Sequence, residues 1–160
     1  MVNPAFQDLI PNNSCFGCGP QNVEGLRLKS HWSGEDSAVA TFCPASHHNA
    51  GAAQFTNGGI IATVIDCHCV CTAAAEAYRR EGRAIGSAPD IWYVTGQLNI
   101  TYLEPTPIDG SIEVYATVAH TGPKKTRLTC SVRSNEMECA IAEVIAIRVP
   151  PSWKESKVAT

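Results

Sequence analysis

The chain has 160 residues, of which 44% are hydrophobic and 17% charged, with a formal net charge of −3. This is the size and balance of one globular domain with enough mass for a core. The acidic balance argues against nucleic acid or an anionic membrane as the main partner. No apolar run reads as approaching the roughly 20 residues of a membrane span. The opening MVNPAFQDLIPNN lacks a basic start followed by an apolar stretch, so no secretory signal is visible and a cytoplasmic location is expected. Of the eight cysteines, Cys67, Cys69 and Cys71 stand too close together on one helix to bridge one another. Reduced thiols are the reading that suits such a chain.

In chain order, residues 1–25 are rich in Pro, Asn and Gly and read as a leader loop. Leu26–Ser30 and Ser37–Cys43 read as short strands joined by the turn-prone segment Trp32–Asp36. A loop with His47, His48 and Asn49 leads to a helix expected over Gly59–Glu81, apolar nearly all round until Glu76 and stopped by Gly82. A helix of that kind belongs inside a domain. Strands are expected over Val94–Leu103, Ser111–Ala119, Lys125–Arg133 and Met137–Val149, where period-two alternation and intervening Pro, Gly and Asn turns predict an antiparallel meander. Strict counting puts Glu143 on the apolar face of the last strand unless a bulge turns it out. One apolar helix and a one-sided sheet pack most simply with the sheet wrapped around the helix, giving a single α+β domain over 1–160.

Asn57-Gly58-Gly59 opens the helix, and Asp66 sits two turns in. A helix start offers free N–H groups and the positive end of a dipole, and a carboxylate among Ile, Val, Ala and Cys is costly to bury without a purpose. An oxyanion site with a poised carboxylate is equipment for attacking a carbonyl.

Three stretches resemble one family: Cys15-Phe-Gly-Cys-Gly-Pro-Gln-Asn22 with Gly25-Leu26, the Asn57-Gly58-Gly59…Asp66 helix start, and Leu98-Asn-Ile-Thr-Tyr-Leu-Glu-Pro105. They resemble the hot-dog-fold acyl-CoA thioesterases, in the phenylacetate-pathway and acyl-CoA thioesterase 13-like branch, and the likeness spans essentially the whole chain. The resemblance implies a curved antiparallel sheet around one helix and hydrolysis of acyl-CoA without a cofactor. It further implies a homodimer or homotetramer with the site in the seam. By position it makes Asp66 the catalytic carboxylate, as general base or nucleophile. Gly58 becomes the N–H donor to the thioester carbonyl, and Thr95 the hydroxyl that holds the attacking water. The chain departs at Asn57, where the family has His; an Asn can donate one hydrogen bond but cannot be protonated. Gly59 and Asn49 are substrate-side candidates. Lys124, Lys125, Thr126 and Arg127 are candidates for the coenzyme A phosphates.

Each position also has a plainer role. Asp66 could pair with a cation across a dimer seam, the glycines could serve close packing, and Thr95 could be a strand-former facing solvent. His68 falls on the opposite side of the helix from Asp66 and reads as a hydrogen-bonded core histidine. A non-catalytic module that binds acyl thioesters is the alternative function. Cys15-x-x-Cys18 resembles half a zinc knuckle, and Cys67 with Cys71 at i, i+4 could supply the rest. Against a metal, the second pair would have to meet the leader loop from within a buried helix, so ordinary thiols and no metal are expected.

Overall fold

The structure, a computed structural model, describes residues 3–155; the first two residues of the expected leader and the last five of the expected domain lie outside it. A long helix, α2 (Gly58–Arg80), organises the rest. Asn57 caps it, its side-chain oxygen accepting from the Gly59 N–H at 2.7 Å. The other end closes where Gly82 takes a φ of +64°. It is 23 residues long and holds an 18-residue window with a mean hydropathy of 1.5, which meets the length and composition of a membrane span. This corrects the expectation that no run approaches that length, but most of the helix is buried within the domain. Ala73, Ala74, Ala75 and Ala77 are all buried, and their small side chains let strands approach. His68 is fully buried as expected, with Nδ1 2.8 Å from Ser30 Oγ and Nε2 3.2 Å from the Ala38 carbonyl. Burial lowers its pKa to about 4, keeping it neutral.

Six antiparallel strands pack on this helix in the order β1-β2-β4-β5-β6-β3. They are β1 (Ser30–Trp32), β2 (Ser37–Phe42), β3 (Trp92–Tyr102), β4 (Ile112–Thr121), β5 (Lys125–Ser134) and β6 (Met137–Val149). In β4 and β5 the expected inward residues Ile112, Val114, Ala116, Leu128, Cys130 and Val132 are buried and Val118 is half-buried against the same core, which is the alternation of a half-buried sheet. The sheet curved over one helix is the hot-dog arrangement.

Three expectations change. The four-strand meander holds only for β4, β5 and β6, because β3 pairs with β6 at the sheet edge. The Pro105–Pro107 segment is not a hairpin turn. It crosses to the chain in front of α2, with the Thr56 N–H donating to the Thr106 carbonyl at 2.8 Å and the Thr56 hydroxyl to the Pro107 carbonyl at 3.1 Å. The first strand starts later than Leu26. The Leu26 and Leu28 N–H groups bond to the Phe16 and Gly17 carbonyls in the leader, with Arg27 at a φ of +56° between them, so this stretch is spent on the leader. Glu143 does share a face with Ile141 and Ile145, but that face is the outer one. Cys139 and Ala140 are both buried beside a register shift between Val132 and Arg133, and this bulge sends Ala140, Ala142, Val144 and Ala146 inward.

The leader is an integral layer. A single helical turn, α1 (Phe6–Leu9), sets Phe6 against Trp32 at 5.0 Å between ring centres. The Gln7 side chain donates to Ser30 Oγ and accepts from the Ser30 N–H, both at 2.8 Å. A buried amide satisfied on both atoms fixes the position of a segment in a way apolar contact alone does not.

Candidate active site

Asp66 lies in the third turn of α2, half-buried and facing β3, where the Thr95 hydroxyl donates to its Oδ1. The strand is shaped for this contact. The register with β6 shifts between Thr95 and Gln97, and a side chain at Gly96 would run into Ile147. The bulge therefore needs glycine and re-aims Thr95. Burial raises the Asp66 pKa above the ordinary carboxylate value; the Thr95 hydrogen bond opposes this, and charge on Cys18 adds to the rise. Among the described residues no cation lies within ion-pair distance of Asp66.

A cavity of about 290 Å³ opens beside this pair, between the leader, α2 and the start of β3. Ile10, Val70, Ala74, Trp92, Tyr93 and Trp153 give it an apolar wall, and Asp66 and Thr95 part of its polar lining. Four thiols, Cys15, Cys18, Cys67 and Cys71, form another side. Hydrogen bonds from Cys15, Cys67 and Cys71 hold the Cys18 thiol far below its ordinary pKa, while the Cys67 thiol is pushed up by its contacts with Cys15 and Cys18 and by burial, and the Cys71 thiol by its contact with Cys18 and by burial. The objection that the helix pair could not meet the leader is thereby removed. The leader lies directly on that side of α2.

Gly58 belongs to a different hollow, lined with Phe55, Thr56, Tyr102, Leu103 and Pro105. The Tyr102 hydroxyl donates to the Gly58 carbonyl at 2.6 Å. This contact, unread from sequence, ties the Leu98–Pro105 stretch to the helix start. As the first helical residue, Gly58 has no carbonyl one turn before it within the helix to accept its N–H. Asn57 caps the helix: its carbonyl oxygen accepts from the Gly59 N–H, which takes up that N–H, while the side-chain NH2, the group expected to donate, is not used in this contact. Eight residues of helix put Gly58 about 12 Å from Asp66 along the axis. One chain alone thus does not bring the two together.

The remaining candidates also disperse. Asn49 donates to the Ala50 carbonyl at 2.7 Å and bridges to Thr56, which places it beside the Gly58 hollow. Lys124, Lys125 and Arg127 are exposed near the far end of α2, where the Lys124 carbonyl accepts from the Arg148 N–H at 2.8 Å and Arg148 pairs with Glu81. Thr126 alternates with them and is fully buried, so its hydroxyl is not available to a phosphate.

The chain is thus a hot-dog domain with a carboxylate on its central helix and a glycine pair at the helix start. The family model described as the thioesterase superfamily matches residues 53–141, more than half of the sequence, and the chain belongs to that superfamily. A thioesterase superfamily protein from Shewanella loihica PV-4 is 33% identical, with a TM-score of 0.62 over 77% of this chain and 91% of that one. The PaaI protein from the phenylacetic acid degradation operon of E. coli is 16% identical, with a TM-score of 0.63 over 78% of this chain and 81% of that one. A thioesterase from Haemophilus influenzae is likewise 16% identical, with a TM-score of 0.65 over 82% and 85% of the two chains. At those last two identities the likeness is one of fold. No curated protein matches the chain.

Proposed function

We infer that the protein is an acyl-CoA thioesterase, with Asp66 as its catalytic carboxylate. The observation that carries this reading is a half-buried Asp66, held by the Thr95 hydroxyl, with no cation in ion-pair distance among the described residues, and set at an apolar cavity. A carboxylate kept only for structure would be expected to find a charged partner. The apolar wall suits an acyl chain, and the Asp66 oxygen not bonded to Thr95 is left to act. As general base, Asp66 takes a proton from water as the water oxygen attacks the thioester carbonyl carbon. The C–S bond then breaks, and the coenzyme A sulfur leaves and is protonated. As nucleophile, the same oxygen would attack the carbonyl itself, and water would hydrolyse the resulting anhydride.

The N–H that polarises the carbonyl is assigned to Gly58, and the 12 Å or so between Gly58 and Asp66 along one helix has a direct consequence. The two groups must lie within about 3 Å of the same reacting centre, so the working site takes Asp66 from one chain and Gly58 from a second copy. β3 supports the pairing, being an 11-residue strand at the sheet edge whose one strand neighbour among the described residues is β6. We therefore read the assembly as a homodimer, or a tetramer of two such dimers. Lys124, Lys125 and Arg127 remain the groups for the coenzyme A phosphates, at a distance from Asp66 that the pantetheine arm has to span. Net negative charge and reduced cysteines fit a cytoplasmic reaction that involves no nucleic acid and no membrane.

Incubating the protein with a panel of acyl-CoAs and following thiol release with a colour reagent tests the function. Release well above the uncatalysed rate with at least one acyl group is expected. Saturable binding with no release would make the domain a carrier of acyl thioesters, and neither binding nor release would remove acyl-CoA as the ligand.

A further inference from the structure

The four thiols beside the cavity form a group that the carboxylate reaction does not use. Cys15 Sγ is 3.6 Å from Cys67 Sγ, and Cys18 Sγ is 3.7 Å from Cys71 Sγ. The sulfurs of Cys15, Cys18 and Cys67 all lie within 4.8 Å of one another. Cys18 therefore has three sulfur neighbours, so the group is one cluster and not two separate pairs.

The backbone has been brought to this point by specific features. A side chain at Gly17 would run into the Cys67 sulfur and the Thr63 methyl, so glycine lets the leader lie on α2. The Gly19 N–H closes a turn on the Cys15 carbonyl at 2.8 Å, and the Cys15 N–H is held by Asn13 Oδ1 at 3.1 Å. That turn aims Cys15 and Cys18 to the same side, while Cys67 and Cys71, one helical turn apart, present a matching pair.

We propose that Cys15, Cys18, Cys67 and Cys71 form a tetrahedral zinc site that fastens the leader to the central helix. Zinc–sulfur bonds of about 2.3 Å at tetrahedral angles place sulfurs about 3.8 Å apart, close to the two contacts measured here. The sequence supplies the spacing of such sites, a Cys-x-x-Cys and a Cys-x-x-x-Cys. Binding would release the four thiol protons and leave a Zn²⁺ ion with four thiolates. Four protein ligands leave no open position, so the ion holds structure and takes no part in turnover. The two facing pairs could instead close as Cys15–Cys67 and Cys18–Cys71 disulfides. A shared cluster in a chain of reduced thiols favours the metal.

The test is independent of thioesterase activity. Full-length protein purified under reducing conditions, without added metal, should carry near one zinc per chain by elemental mass spectrometry. Cobalt exchanged into the site should give the thiolate charge-transfer band and the intense visible bands of a tetrahedral four-sulfur centre. Cys15→Ser, at an exposed ligand, should lose that spectrum while remaining folded, and Cys43→Ser, at an exposed cysteine outside the cluster, should keep it. A strong chelator should lower the melting temperature by at least about 5 °C. Metal-free protein with eight titratable thiols and a melting temperature indifferent to zinc would overturn the proposal. Four thiols missing until a reductant is added, with no metal present, would overturn it in favour of disulfides.

Discussion

Asp66→Asn is expected to lower acyl-CoA turnover by at least about a hundredfold, the scale of a positioned general base, while the folded protein remains as stable as before or gains stability. The substitution keeps the size of the side chain, and the Asn carbonyl oxygen can still accept from the Thr95 hydroxyl. It orphans no cation among the described residues, none of which pairs with Asp66. It also removes a charge that burial disfavours, as the raised pKa indicates. Michaelis constants should change little, since the phosphates and acyl chain would be held elsewhere. A structural Asp66 predicts the reverse: a lower melting temperature or dissociated chains, with near-normal turnover in what stays folded. Melting temperature, oligomer size and steady-state rates measured on this one variant distinguish the two.

Gly58→Pro should reduce turnover by about 10²–10³, the loss seen when one oxyanion donor is removed, again without unfolding the protein. Proline is suited to the first position of a helix, where the missing N–H has no helical partner to lose. The residue before a proline must be extended, and Asn57 already has φ −61° and ψ 134°. Gly58→Ala is the control. It keeps the N–H, and a Cβ there would meet the Tyr102 ring at an acceptable 3.4 Å, so its rate should stay near that of the unmodified protein. Equal losses in the Ala and Pro variants would show that the helix start acts through its shape and not through its N–H.

What could be read from the chain alone was what short-range patterns encode. The apolar length of α2, its stop at Gly82, and the inward faces of β4 and β5 all follow from residues a few positions apart. The place of β3 does not, because it depends on where the Pro105–Pro107 segment runs, and its partners in front of α2 lie about fifty residues earlier in the chain. Glu143 was assigned to the correct set of neighbours, but alternation alone does not say which face meets the helix. That was decided by the bulge beside Cys139. The leader was underread for the same reason. Gln7 meets Ser30 across 23 residues, and nothing in a Pro- and Asn-rich stretch announces a buried amide.

The site divides in a similar way. Asp66 and Thr95 were paired through the family resemblance, and the hydrogen bond between them is a contact across 29 residues that composition could not have revealed. Asn57 has a second part that its place immediately before two glycines and an apolar run encodes, that of a helix cap through its carbonyl oxygen, which leaves the amide NH2 to donate. The thiol cluster joins positions 52 and 53 residues apart. Its two halves were visible as spacings, but their convergence depends on Gly17 allowing the leader onto the helix.

The shared site is tested most directly by combining the two damaged chains. Asp66→Asn and Gly58→Pro are co-expressed in equal amounts, and thiol release from the best acyl-CoA is compared with that of each variant alone and of the unmodified protein. Half of the seams should then be mixed, and each mixed seam holds one site with both groups intact and one with neither. Turnover is predicted to recover to roughly a quarter of the unmodified rate, far above either variant by itself. Recovery no greater than the sum of the two variants, in protein that has assembled normally, would contradict a site built from Asp66 of one chain and Gly58 of another.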